Sequence, residues 1–571
     1  MMNKLIIIFF VVFALPFNAI SQWSNDPQAN LLISGAAGEQ ALPKLANAKD
    51  QGTYICWFDN RSGNYAVYLQ RLNSLGIPQL GEGILISNNP QSSSLVDYDM
   101  IADDSGNAII TFTDIRNGSI INPFVYKISP EGNFLWGANG INLANDFNTF
   151  QPNPKLAKTT DNSIVVAWVF SSTPNKIALQ KISSGGTKLW GTDPVYLSGA
   201  GTENFTYPAM VTSDNNSVIL LWSGYSGNFL NPANYKLYSQ KYSTSGSVLW
   251  KDTVYSLGNI QGFFTPKIFS DDINGALYVW QDYRTSGTLA SSYVQHYSSS
   301  GTRLFPLNGT ESSTDGTFNK FDAWASYMPS TNETYLVWRQ ANGNQNLSGI
   351  FGQKFSSDGG RQWTDNGREF IPLGSNSYVN QVCFTYDTNI VYVFNESLFG
   401  SNNNLQKAFS SDRNGNIGWG GTIKNISNVL SPKSKAVANI SAQGMTKIVW
   451  SDERNGNRDI FAQNINSNGT LGNTGVNVIS YNQPEGFSLE QNYPNPFNPN
   501  TRISYKLIVS GKVTLKIFDV LGNEIDELVN EFQNPGSYDL IFDGADLSSG
   551  IYFYTLSSLN SKITKSMLLL K

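Results

Sequence analysis

The chain has 571 residues, a formal charge of −5 and 14% charged residues. It is too long for one ordinary compact domain unless it forms a repeat array or a large closed β architecture. It has no basic run, which argues against nucleic acid as a partner because phosphate contact needs clustered Lys and Arg.

The chain opens MMNKLIIIFFVVFALPFNAISQW. Lys4 gives a positive start, the run from Leu5 to Ala14 is apolar, and Ala19 and Ser21 supply the small residues of a cleavage site. This layout predicts a secretory signal peptide over 1–21. No later segment reaches membrane-spanning length, so no transmembrane segment is expected in the mature chain.

A repeat follows. An apolar run ends in an aromatic residue at Trp57, Phe112, Trp168, Trp222, Trp280, Trp338, Phe394 and Trp450, at steps of 54–58 residues. Each copy reads as four short strands. The first is often opened by Pro (LPKLANA, NPKLAKT, YPAMVTS, TPKIFSD), and a tight turn such as DDSGN or DDINGA leads to the aromatic-ended second. The third carries Gln and often a basic residue (LQRLNS, LQKISS, SQKYST, VQHYSS, GQKFSS), and the fourth follows a Gly turn. The abundance of Gly, with 50 residues, and of Phe, Tyr and Trp, with 33, 27 and 13, suits such strands and turns.

Four-stranded units at this period predict blades of a β-propeller, which bury their apolar faces only against neighbours. The expected fold is all-β: an eight-bladed β-propeller over 22–480, a linker over 481–486 and a small Ig-like β-sandwich over 487–571. Both QWSNDPQANLLISG and LGNTGVNVIS resemble a fourth strand, giving nine for eight blades. The sequence leaves open which of them closes the ring.

The tail reads FSLEQNYPNPFNPNTRISYKL, then IFDVLGNEI, LSSGIYFYTL and KSMLLLK. Together these motifs resemble the C-terminal sorting domain of type IX secretion cargo. The resemblance implies a bacterium of the Bacteroidetes kind, the type IX machinery as a partner, and delivery through the periplasm to the outer-membrane surface or the medium.

Four copies carry a W-x-D-x-R-type frame: Asp59 with Arg61, Asp114 with Arg116, Asp282 with Arg284, and Asp452 with Arg454. Aromatic, Asp and Arg lie two apart, so they share one strand face. They are candidates for a ligand rim at the channel mouth, although recurrence in four copies favours a structural fastener. SSDGGRQW places Ser356, Asp358, Gly360 and Trp363 in an Asp-box pattern, which resembles that of sialidase-type propellers and is a folding element there. His296 occupies the slot of Lys181, Lys241 and Lys354, and is expected on the surface.

The only two cysteines, Cys56 and Cys383, are expected to be buried and unpaired. Two Cys and one His are too few for a zinc or copper cluster. No catalytic residue, metal or cofactor is assigned. The sequence points to an exported surface or secreted propeller that binds a glycan or a protein. The alternatives are a sialidase-like glycan hydrolase and a structural or adhesive surface protein.

Overall fold

The computed structural model describes residues 22–89, 96–116, 118, 120–144, 146–258, 260–472, 476–480, 486–509, 511–533, 536–558 and 561–571. The signal peptide read at 1–21 lies outside the described residues, as does most of the linker.

Six antiparallel four-stranded sheets form blades one to six. In blade one the strands are Gln40–Asn47, Thr53–Asp59, Ala66–Leu72 and Ile84–Leu85. Blades seven and eight share one strand, Lys424–Ile440. Its first half completes blade seven, and its second half opens blade eight. First strands of successive blades pack side by side, and the first strand of blade one also meets that of blade eight, so the ring is closed.

The closing strand is N-terminal. Leu31–Ser34 pairs antiparallel with Asp459–Ile465 and supplies the fourth strand of blade eight. The other contender, Val476–Ser480, instead pairs with Gly536–Asp543 in the tail.

Eight hydrophobic clusters fill the eight seams between blades. Second strands show why their apolar runs are continuous rather than alternating. Ile55 and Trp57 face blade eight, while Tyr54, Cys56 and Phe58 face blade two. A strand buried on both faces needs apolar side chains at every position. All eight repeat aromatics face the preceding blade and are at most 2% exposed. Cys56 and Cys383 are buried and free, in blades one and seven.

A second register runs around the face that carries the third-to-fourth-strand turns. There an indole at or just ahead of the fourth strand docks on the turn of the next blade. Trp136 Nε1 donates to Ser184 O at 3.2 Å, Trp190 to Thr244 O at 3.0 Å, Trp250 to Ser299 O at 3.1 Å, Trp363 to Arg413 O at 3.1 Å and Trp419 to Ser467 O at 2.8 Å. Four of the rings cover a glycine of positive φ in that turn, Gly186, Gly246, Gly301 and Gly469, where a Cβ would stand 3.1 Å or less from the indole.

The tail forms two four-stranded sheets around one core that includes Leu489, Ile503, Leu515, Tyr538, Tyr554 and Leu569.

Candidate functional site

The Asp–Arg frame ends the second strand and enters the second-to-third-strand turn. In blade one, Asp59 is fully buried and accepts Trp57 Nε1 at 3.0 Å, the Arg61 backbone N–H at 3.0 Å, Arg61 Nε at 2.9 Å and Arg61 Nη2 at 2.6 Å. The Arg61 guanidinium lies over Tyr68, 4.2 Å from the ring centre, and Nη2 reaches Ser34 of blade eight at 3.4 Å. Asp114–Arg116, Asp282–Arg284 and Asp452–Arg454 repeat the turn. Arg116 reaches Ser87, just past the last strand of blade one, and Arg454 reaches Ser427 of blade seven. Arg284 instead stacks on Tyr255 of blade four, 4.8 Å from its centre.

Blades four, six and seven lack the frame because their second and third strands continue past it. In the frame blades pairing stops at the Asp, as with Asp59↔Ala66 and Asp452↔Asp459. In blade four the ladder extends to Asn228↔Asn231, in blade six to Ala341↔Ser348, and in blade seven to Ser397↔Asn404. The Asp position then stays within the sheet as Gly224, Gln340 or Glu396. Gln340 still accepts the Trp338 indole at 3.2 Å. Glu396 pairs with Lys407 at 2.8 Å and accepts Asn376 Nδ2 at 3.1 Å.

On the opposite face, the third-strand Gln ties down the start of the fourth strand. Gln180 Nε2 donates to Gly191 O at 3.0 Å, and its Oε1 accepts the Trp190 N–H at 3.2 Å. The basic residue that follows this position pairs with an acid of the first hairpin turn: Lys127, after Tyr126, with Asp103 at 2.8 Å, and Lys241, after Gln240, with Asp214. His296 belongs to this set and corrects the sequence expectation. It is 1% exposed, with Nε2 2.9 Å from Asp271 Oδ2, between Phe305 and Tyr327. The Asp-box Ser356 hydroxyl donates to Asp358 at 2.5 Å, and Asp358 accepts the Gly360 N–H at 3.2 Å, in the turn beneath Phe305.

Two regions at the channel mouth were not singled out from sequence. The first comprises charged residues of the innermost strands. Asp97 of blade two lies between Lys44 of blade one, at 2.6 Å, and Lys155 of blade three. Burial opposes its charge, but the two ammonium groups outweigh this and hold its carboxyl far below the usual range. Across the ring, Lys267 of blade five donates to Ala323 O at 2.8 Å, and Arg339 Nε of blade six lies 3.8 Å from Asp322 Oδ2. The Pro-Lys dipeptides that open several first strands were the available signal.

The second region is aromatic. The long blade-four hairpin carries Tyr225 and Phe229 over the rim, where Phe229 packs 6.0 Å from Tyr207 and 5.8 Å from Tyr225. Tyr207 Oη donates to Gly262 O at 3.0 Å, and Phe264 stacks on Tyr283. Phe263 and Leu230, at 55% and 70% exposure, top this ledge.

Among the described residues no group of three or more His, Cys, Asp or Glu is arranged to hold a metal ion. Nor is any helix among them long and apolar enough to cross a membrane.

Residues 491–570 match the family described as Secretion system C-terminal sorting domain. The tail is a type IX secretion C-terminal sorting domain. A protein carrying this sorting domain is secreted or placed at the cell surface. No curated protein matches the chain. Solved structures similar to it include an α-L-arabinanase of Penicillium chrysogenum, at 11% identity over 56% of this chain and 94% of that one, with a TM-score of 0.33. The polysaccharide lyase Uly1 shares 9% identity over 80% and 94%, with a TM-score of 0.38. The Dos1 propeller shares 12% over 76% and 94%, with a TM-score of 0.41.

Proposed function

We propose that the exported ring is a glycan-binding protein whose contact surface is the face bearing the second-to-third-strand hairpins. The observation that carries this reading is the aromatic ledge of blades four and five, where the lengthened hairpin meets Tyr207, Phe263 and Phe264 at the channel mouth. Aromatic faces with nearby polar edges suit stacking on sugar rings. Two acids elsewhere on this face are already ion-paired, Asp97 with two lysines and Glu396 with Lys407, which favours binding over hydrolysis. A general acid for glycosidic cleavage needs a raised pKa, and the two lysines hold that of Asp97 down.

In the same reading, the four Asp–Arg pairs are fasteners. Their carboxylates already accept the turn amide and the guanidinium, which leaves little for a ligand. Export by a signal at 1–21 and the sorting tail, through the periplasm, completes the assignment.

The test is affinity electrophoresis and calorimetry of the full mature chain against neutral and acidic polysaccharides. Phe263→Ala with Leu230→Ser should weaken binding by at least tenfold while circular dichroism and melting stay near wild type. Binding that survives this pair, or release of new reducing ends from any bound polysaccharide, would overturn the proposal.

A further inference from the structure

Blades one and two and blades five and six occupy opposite sides of the ring and carry the same charged positions in their first strands. Lys44 and Lys267 each pair opposite the residue before the repeat aromatic. Asp97 and Asp322 lie two residues before the corresponding position in the following blade. The two copies resolve their charge differently. At blades one and two, Lys44 and Lys155 both reach Asp97, one on each carboxylate oxygen. At blades five and six, Asp322 adopts a left-handed conformation at φ 57 and its side chain is 52% exposed. Lys267 turns instead to Ala323 O and lies 5.2 Å from the centre of the Trp324 ring.

Arg339 enters the same place. Its guanidinium lies over Phe321 at 4.8 Å, and its buried Nε has no hydrogen-bond acceptor, Asp322 Oδ2 being 3.8 Å away. Gln281 of blade five accepts the Asp322 N–H at 3.0 Å through Oε1, while its own Nε2 is buried without an acceptor. Two cations therefore surround one partly exposed acid, beside two buried N–H donors that lack acceptors. In the frame blades every arginine holds its carboxylate at 2.6 Å or less. Arg339 has no such partner. Burial pushes both Lys267 and Arg339 down from their usual pKa, with Asp322 only partly opposing it. A donor left without an acceptor is unfavourable, and an anionic oxygen is the acceptor that best satisfies one.

We infer that Lys267, Arg339 and Gln281 form a carboxylate-binding subsite around Asp322, and that it takes the uronate group of an acidic glycan. This rests on the glycan-binding reading above. Trp324 beside Lys267 and the aromatic ledge on the neighbouring blades favour a sugar over an acidic peptide, because a peptide carboxylate brings no ring face to stack.

The probes are galacturonate oligomers, their methyl esters, a neutral glucan oligomer and a poly-glutamate peptide, each titrated into the full mature chain by calorimetry. The acid oligomer is expected to bind at least tenfold more tightly than its ester. Arg339→Met with Lys267→Met should abolish that preference, leaving the weaker binding of ester and glucan unchanged. Asp322→Asn removes the competing acid and should tighten galacturonate binding several-fold, a gain that misfolding does not produce. Equal affinity for acid and ester, or loss of affinity in Asp322→Asn, would overturn the subsite while leaving glycan binding intact. Poly-glutamate binding that depends on Arg339, without galacturonate binding, would overturn the ligand class. Absence of all glycan binding would remove both readings.

Discussion

Trp23 packs on Gly76 across the seam where the ring closes. A Cβ at Gly76 would stand 2.8 Å from the indole, and Trp23 Nε1 donates to Ser74 O at 3.2 Å. This is the docking made around the rest of that face, here formed by a residue just ahead of the closing strand Leu31–Ser34. Gly76→Ala meets both the indole and a φ of +82°, so it should cost about 1–3 kcal/mol. Trp23→Ala should cost about 3–5 kcal/mol as an emptied core position. Urea unfolding of the full chain measures both.

The Asp–Arg frame should behave as one coupled unit. Asp59→Ala and Arg61→Ala each leave the other charge without its partner and should each cost about 3 kcal/mol. The double variant should cost less than the two together, with a coupling of about 1–3 kcal/mol by denaturant unfolding. A quadruple Arg61, Arg116, Arg284 and Arg454 to Ala variant should melt earlier and retain ligand binding when folded. Loss of binding in a variant that keeps its melting temperature contradicts the fastener assignment.

Lys447 makes stability depend on pH at the closing seam. Its Nζ is buried and donates to Gln51 O at 2.6 Å, and burial pulls its pKa down to about 7, with Asp50 opposing. The unfolded chain, with Lys near 10.4, then binds more protons than the folded one between about pH 7 and 10. Stability from this group therefore rises with pH across that window. The wild type should gain on the order of a few kcal/mol between pH 7 and 9.5 relative to Lys447→Met. Parallel profiles for the two proteins would refute the burial of a charged Lys447.

The acid limb has the same sign in a lower window, stability again rising with pH. Burial opposes the charge of Asp452, but hydrogen bonds from Arg454, Ser431 and Trp450 outweigh it and hold the carboxyl below its usual range. Its contribution is present above the unfolded pKa of about 3.9 and is lost as pH falls through the folded value. Asp452→Asn should flatten the melting-temperature profile below about pH 4.

Neither thiol should react in the folded protein. Cys56 and Cys383 are buried, and burial pushes the Cys56 thiol up to about 12. Titration with a thiol reagent should find none in native buffer and both in 6 M guanidinium; fast native labelling of either one contradicts the seam packing.

The spacing of Trp57 through Trp450 determined the blade, its strand order and the seam position of the aromatics, because a period of 54–58 residues with turn residues between apolar runs leaves few ways to bury both faces. The third-strand Gln and its basic neighbour were visible as a pattern, but their work on the fourth strand and first turn was not. His296 was placed on the surface because its partner Asp271, 25 residues away, is set by the sheet and not by local spacing.

Ring closure needed the tertiary structure: NLLIS and VNVIS are equivalent as text, and only the pairing of Leu31–Ser34 with Asp459–Ile465 separates them. The channel mouth needed it as well. Lys267, Gln281, Asp322 and Arg339 come from two blades and carry no shared motif. Strand chemistry repeats along the chain and can be read there, whereas a site formed between blades depends on which copies the closed ring brings together.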